Sequence, residues 1–142
     1  MPKYDREDWF EAERLHRAAN AGDIVEMARL VASGYDVNLF DDLSRTPLHY
    51  AVEGEHYKAA EWLLNNGAAV NANEEELIGE TPLCFAVQRD YPEMVELLMK
   101  HGAEPDISGW MGHTARIRAQ KRKDADGKKI CEILERYSPS RK

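Results

Sequence analysis

Apolar positions along this chain fall into paired short clusters, each pair closed by a glycine. In "RTPLHYAVEGEHYKAAEWLLNNG", Arg45 to Gly67, the first cluster sets Leu48, Ala51 and Val52 at i, i+3 and i+4, one face of a helix. Thr46 stands where a helix N-cap is needed. Pro47 follows at the first helical position, where its missing N–H costs nothing. The second cluster, Trp62, Leu63 and Leu64, predicts a second helix that Gly67 ends as a left-handed C′ residue. Helices this short are marginal in water on their own. Neighbouring segments must cover their apolar faces, at roughly 25 cal/mol per Å² of apolar area buried.

Such neighbours exist in the sequence. "TPLHYAV" at Thr46 recurs as "TPLCFAV" at Thr81, 35 positions later. "HTARIRA" at His113 is a weaker copy, and "LHRAA" at Leu15 matches "LHYAV" at offset 33. "MARLVASGYDVN", "AEWLLNNGAAVN" and "VELLMKHGAEPD" align without gaps, with Gly34, Gly67 and Gly102 in register. A period of 33 to 35 residues predicts an array of supersecondary units. The small Ala51 and Ala86 let helices of adjacent units approach closely. Val37-Asn38 and Val70-Asn71 begin extended segments leading to the next Thr-Pro.

Thr46-Pro47-Leu48-His49, Thr81-Pro82-Leu83, Gly67-Ala68 with Val70-Asn71, and Gly102-Ala103 carry a resemblance to the ankyrin repeat family, covering about residues 13 to 137. The resemblance implies an all-α solenoid of stacked helix–turn–helix repeats with β-hairpin finger loops. It implies one domain over 1–142, with repeats at about 13–44, 45–79, 80–112 and 113–137 and a tail at 138–142. It also implies that His49 braces its turn by hydrogen bonds, a role not uniform along the chain because Cys84 replaces it in the third repeat. The departures from the family pattern are specific. The first unit lacks Thr-Pro and starts on Trp9 and Phe10. The last carries Arg116 at the core leucine and a three-residue insertion around "DADG", Asp124 to Gly127. Terminal repeats are expected to be atypical because one face meets water. Glu55 and Asp90 occupy the position usually held by glycine between paired helices, at a cost of about 1 kcal/mol where φ is positive.

Charge narrows the partner. The net charge is −7, but residues 1–113 carry 9 Lys/Arg against 22 Asp/Glu, whereas 114–142 carry 10 against 4. An acidic bulk argues against nucleic acid as the main partner. The basic "RIRAQKRK", Arg116 to Lys123, reads either as a solvated terminal helix or as a nucleic-acid contact. No apolar run approaches the ~18 residues that span a bilayer, and "MPKYDREDWFEAERL" has no apolar signal segment. A cytoplasmic protein, monomeric on its own, is expected.

The residues suggest neither catalysis nor a cofactor. Cys84 and Cys131 lack metal-ligand spacing, and His16, His56, His101 and His113 fall in different units with no shared face. "DADGKK" opens like a calcium-binding loop, but the ligand order breaks at Lys128, so a polar inter-helix turn is the plainer reading. "GWMG", Gly109 to Gly112, follows no strand and is a turn between units rather than a dinucleotide fingerprint. No nucleophile elbow or phosphate-cradling loop is present.

What remains is surface. The expected finger loops are "LFDDLSR" (39–45), "ANEEELIGE" (72–80) and "ISGWMGH" (107–113). Phe40, Leu43, Leu77 and Ile78 either fold back over the core edge or anchor a partner. Trp110 and Met111, flanked by glycines, have little local structure to bury them and point to partner contact. The first-helix face offers Arg17 and Asn20, Tyr50 and Glu53, Phe85, Gln88 and Arg89, then Arg118, with Tyr50 and Phe85 equivalent one repeat apart and expected to form a ladder beside Trp110. This face is either solvated or binding. Glu53, Glu55, Glu74, Glu75 and Glu76 favour a partner with a basic surface. The expected function is a non-enzymatic module that binds or sequesters another protein. The alternatives are an immunity-type inhibitor of a cognate bacterial toxin, an enzyme or enzyme accessory subunit, and a nucleic-acid binder.

Overall fold

The structure is a computed structural model that describes residues 9–74 and 79–139. Leu77 and Ile78, with Glu75 and Glu76, lie outside the described residues. The elements are α1 (Trp9–Ala12), α2 (Arg14–Ala21), α3 (Ile24–Ala32), α4 (Pro47–Glu53), α5 (Tyr57–Asn65), α6 (Pro82–Ala86), α7 (Pro92–Lys100), a 3₁₀ turn (Trp110–Gly112), α8 (Ala115–Lys121) and α9 (Ala125–Tyr137). They divide into two compact units, 1–69 and 70–142.

Each unit holds two helix pairs. In the first, α2 packs on α3 and α4 on α5, while α2 meets α4 and α3 meets α5. In the second, α6 pairs with α7 and α8 with α9, while α6 meets α8 and α7 meets α9. First helices thus pack on first helices and second on second within each unit. The core of the first unit is built on Leu15, Met27, Leu30, Leu48, Val52 and Leu63, and that of the second on Leu83, Val87, Met94, Leu98, Ile130 and Leu134, all buried. Ala51 and Ala86 are fully buried. Trp62 and Leu64 are only half-buried, so in α5 Leu63 alone of that cluster reaches the interior.

Helix starts follow local chemistry. Thr46, Thr81 and Thr114 cap α4, α6 and α8 in extended backbone, with proline at N1 of α4 and α6. In α4 the His49 ring closes a capping box: the Thr46 N–H donates to His49 Nδ1 at 3.0 Å. Cys84 substitutes differently, its backbone N–H donating to Thr81 Oγ1 and its sulfur receiving the Thr81 hydroxyl, both at 3.3 Å. Helix ends are equally uniform. Gly34, Gly67 and Gly102 all have φ near +90 to +105°. The next residue's N–H reaches back to Leu30, Leu63 and Leu98 carbonyls at 3.1, 2.9 and 3.0 Å, the Schellman arrangement.

The Val-Asn signature also has a structural role. Asn38 donates to Gly67 O at 3.0 Å and accepts from Ala69 N at 2.8 Å. Asn71 does the same with Gly102 O and Glu104 N at 3.3 and 2.9 Å. Each asparagine therefore satisfies the backbone of the following helix end, one repeat away.

Three expectations change. No described residue is in a strand, so the fingers are not β-hairpins there. The first and third are pinched by single backbone bonds at equivalent places, Asp41 N to Arg45 O and Gly109 N to His113 O, both 2.9 Å. Next, "DADG" is not an inter-helix turn. Asp124 N-caps α9, accepting from Gly127 N at 3.3 Å, and the insertion lengthens α9 to 13 residues against 9 for α3, α5 and α7. Finally, Glu55 takes the left-handed conformation (φ 60°), whereas Asp90 does not.

Candidate functional site: finger loops and first-helix faces

In the first unit the finger is built on Asp41. This buried carboxylate accepts from the Leu43 and Arg45 N–H groups at 2.9 and 3.0 Å and from the Tyr50 hydroxyl. Tyr50 is thereby tied into the loop. Burial first, and then the Asp41 carboxylate, push its hydroxyl pKa well above the usual tyrosine range. The Arg45 guanidinium lies 5.6 Å from the Tyr50 ring centroid and pairs with Glu53 at 3.3 Å. The buried His16 ring meets Tyr50 edge-on at 5.9 Å and donates from Nε2 to Leu39 O at 2.7 Å. Its Nδ1 is buried and has no hydrogen-bond partner among the described residues. The cause is the missing Thr-Pro: residue 13 is Glu, and its N–H bonds to Trp9 O in α1, so no cap N–H faces the ring as Thr46 does for His49. Burial lowers the His16 pKa. Phe40 is half-buried beside this network, and Leu43 is exposed.

In the second unit the third finger presents Trp110 and Met111, 52% and 72% exposed. Met111 (φ 57°, ψ 28°) and Gly112 (φ 73°) are both left-handed, and His113 N–H closes on Trp110 O at 3.1 Å. That is the hydrogen bond and handedness of a type I′ turn, here with methionine where Asn or Gly is usual. At the loop's base Arg118 pairs with Glu80, and both side chains are largely covered. Gln88 donates to Cys84 O at 2.8 Å, Arg89 is exposed with its carbonyl held by Arg122, and Phe85 is half-buried.

Ion pairs absorb much of the basic stretch. Arg116, 9% exposed, binds Asp106 through two bonds (2.8 and 3.1 Å), Glu135 at 2.8 Å and Ser138 O at 2.6 Å. Arg122 binds Asp90 and Asp124 at 2.5 Å and the Val87 and Arg89 carbonyls at 3.0 and 2.7 Å. Asp90, Asp124 and Asp126 come together here, with the Arg122 guanidinium between the first two. Lys121, Lys123, Lys128 and Lys129 stay exposed.

Tyr50, Glu53 and Phe40 therefore gather in the first unit, while Phe85, Gln88, Arg89, Trp110, Met111 and Arg118 belong to the second. Sequence reasoning missed Asp41, the Arg122 clamp, and the Trp9–Phe10 pair with Arg17 stacked 3.7 Å over Phe10. Of these only the last had a local signal: aromatic residues exposed ahead of the first repeat. Both cysteines are free thiols. Among the described residues, no helix is long and apolar enough to cross a membrane.

The family model "Ankyrin repeats (3 copies)" matches residues 15–109, and the chain belongs to the ankyrin repeat family. It is 42% identical over 59 residues to the mouse ankyrin repeat domain-containing protein 40, covering 41% of this chain and 16% of that protein. It is 44% identical over 61 residues to the human Arf-GAP with coiled-coil, ANK repeat and PH domain-containing protein 3, covering 42% and 7%. It is 39% identical over 63 residues to acyl-CoA-binding domain-containing protein 4 of Oryza sativa subsp. japonica, covering 42% and 19%. The chain thus spans less than a fifth of the length of these relatives. Ankyrin repeats are generally protein–protein interaction modules without catalytic activity of their own.

Proposed function

We propose that this chain is a non-enzymatic binding module that grips a partner protein chiefly through the Trp110–Met111 tip, with Phe85, Gln88, Arg89 and Arg118 as contacts on the same unit and Phe40, Tyr50 and Glu53 as contacts on the first unit. The observation that carries the reading is Met111, a non-glycine residue held left-handed while its apolar side chain is 72% exposed. Both features cost free energy in the isolated protein and are repaid when a partner covers the tip. The strongly acidic balance of residues 1–113 suits a basic partner surface, attracted by charge and anchored by the aromatic and methionine side chains. The ion pairs that occupy Arg116, Arg118 and Arg122 weigh against nucleic acid as the partner.

The test is affinity capture from the native host with two baits, wild type and Trp110→Ala/Met111→Gly. A protein retained by the first and lost by the second supports the reading; equal retention by both discards this tip. If the captured protein is an enzyme, assaying it with and without the chain separates neutralisation from scaffolding.

A further inference from the structure

The last helix runs into a segment that the repeat pattern leaves unused. After Tyr137 the chain reads Ser138-Pro139-Ser140-Arg141. Ser138 ends the helix (φ −147°, ψ 81°), its N–H donating to Leu134 O at 2.8 Å; it is half-buried, and Pro139 is exposed. A serine hydroxyl followed at once by proline and three positions on by a cation is the chemistry that proline-directed protein kinases select. Proline suits such a pocket because it brings no N–H that would need a partner.

The surroundings of Ser138 say what a phosphate would meet. Its carbonyl accepts from Arg116 Nη2 at 2.6 Å. The Arg116 side chain is 9% exposed, while its carboxylate partners Asp106 and Glu135 are 64% and 48% exposed. A covered cation is therefore held by two solvated single charges and already reaches the backbone of Ser138. We infer that Ser138 is a phosphorylation site for a proline-directed kinase and that Arg116 holds the phosphate.

In the transfer, Ser138 Oγ bonds to the γ-phosphorus of ATP as the bond to the β,γ-bridging oxygen breaks. ADP leaves with that electron pair, and the hydroxyl proton passes to the kinase's base. The product carries about −1.5 to −2 charges and three strong acceptors, which a guanidinium binds better than a lone carboxylate. The phosphate draws Arg116 from Glu135 and Asp106, and it places negative charge at the C-terminus of α9, where the helix dipole opposes it. Asp106 stands just ahead of the loop that carries Trp110 and Met111, so that loop's base loosens with the last turn of α9. This holds whatever the Trp110–Met111 tip binds.

The experiment treats the full chain with a purified proline-directed kinase and ATP, maps the phosphate by mass spectrometry, and uses Ser138→Ala and Ser140→Ala as controls. One phosphate is expected, lost in Ser138→Ala and kept in Ser140→Ala. By ³¹P NMR its second ionisation falls below that of a phosphorylated peptide of residues 136–142, and amide exchange in 106–113 and 130–137 quickens several-fold. No transfer, transfer to Ser140 alone, a phosphate that titrates as in the peptide, or unchanged exchange each overturns the inference.

Discussion

Arg116 grips Asp106 through two hydrogen bonds of 2.8 and 3.1 Å, and both residues break the repeat pattern together. Arg116 stands where the second and third repeats bury Leu48 and Leu83, and Asp106 stands where the first two carry Asn38 and Asn71. The asparagines hold the backbone of a following helix end. In the last position the aspartate holds a side chain instead, and an ion-pair network replaces an apolar contact. Truncating the arginine removes the packing and these hydrogen bonds, though Asp106 and Glu135 can rehydrate. Arg116→Ala is expected to cost about 1–3 kcal/mol of stability. Arg116→Leu, which restores the repeat's own residue type, is expected to cost less. Urea unfolding of the two variants checks the order.

His16 sets a pH dependence. Burial lowers its pKa in the folded chain, so the unfolded state binds the proton more readily. The stability this neutral ring contributes is fully present above the unfolded value of about 6.5 and is lost as the pH falls below it towards the lower folded value. Glu26 and Asp124, whose pKa values are lowered chiefly by hydrogen bonds from Arg29 and Arg122, act only at more acid pH, below about 4.5. Melting temperatures between pH 7.5 and 5 are expected to fall for the wild type and to flatten in His16→Gln. A wild-type melting temperature that rises on acidification contradicts the assignment.

Adjacent residues at the turn between α4 and α5 respond in opposite directions. Glu55 is left-handed, so Glu55→Gly is expected to stabilise by up to about 1 kcal/mol. Gly54 is not left-handed, yet a Cβ there would meet the His56 ring at 2.7 Å and Asn20 O at 3.3 Å. That ring is fixed by donating to the Asn20 carbonyl at 2.9 Å. Gly54→Ala is therefore expected to destabilise, with thermal denaturation of the pair as the check.

These cases show which features the sequence makes legible. Thr46-Pro47, Thr81-Pro82 and the glycines at 34, 67 and 102 could be placed because each meets a backbone demand within one turn. The repeat marked the place of Glu55 as one where a left-handed residue can stand, but not which of Glu55 and Asp90 adopts it. The Asp41 network could not be read, since Tyr50 lies nine residues away and an acidic residue in a loop has many uses. Arg122 reaches carbonyls 33 and 35 residues upstream, about one repeat back, but its residue type in the motif does not announce that contact. The same blindness made "RIRAQKRK" look like free positive charge. The site reading depended on exposed apolar residues in loops; it singled out Trp110 and Met111, which are exposed, but could not foresee the left-handed Met111.

That conformation separates stability from binding. Met111→Gly relieves the left-handed strain and is expected to stabilise the free chain by about 1 kcal/mol while weakening the complex. A variant that is both more stable and equally tight in binding would remove the functional reason for the methionine. Thermal denaturation and a binding isotherm on the same preparation decide it.

The most direct measurement is the dissociation constant of the captured partner for wild type and Trp110→Ala by titration calorimetry, with circular dichroism confirming the same helix content. The account predicts a loss of about 1–3 kcal/mol, roughly 5- to 150-fold in affinity. Affinities within twofold of each other would contradict it.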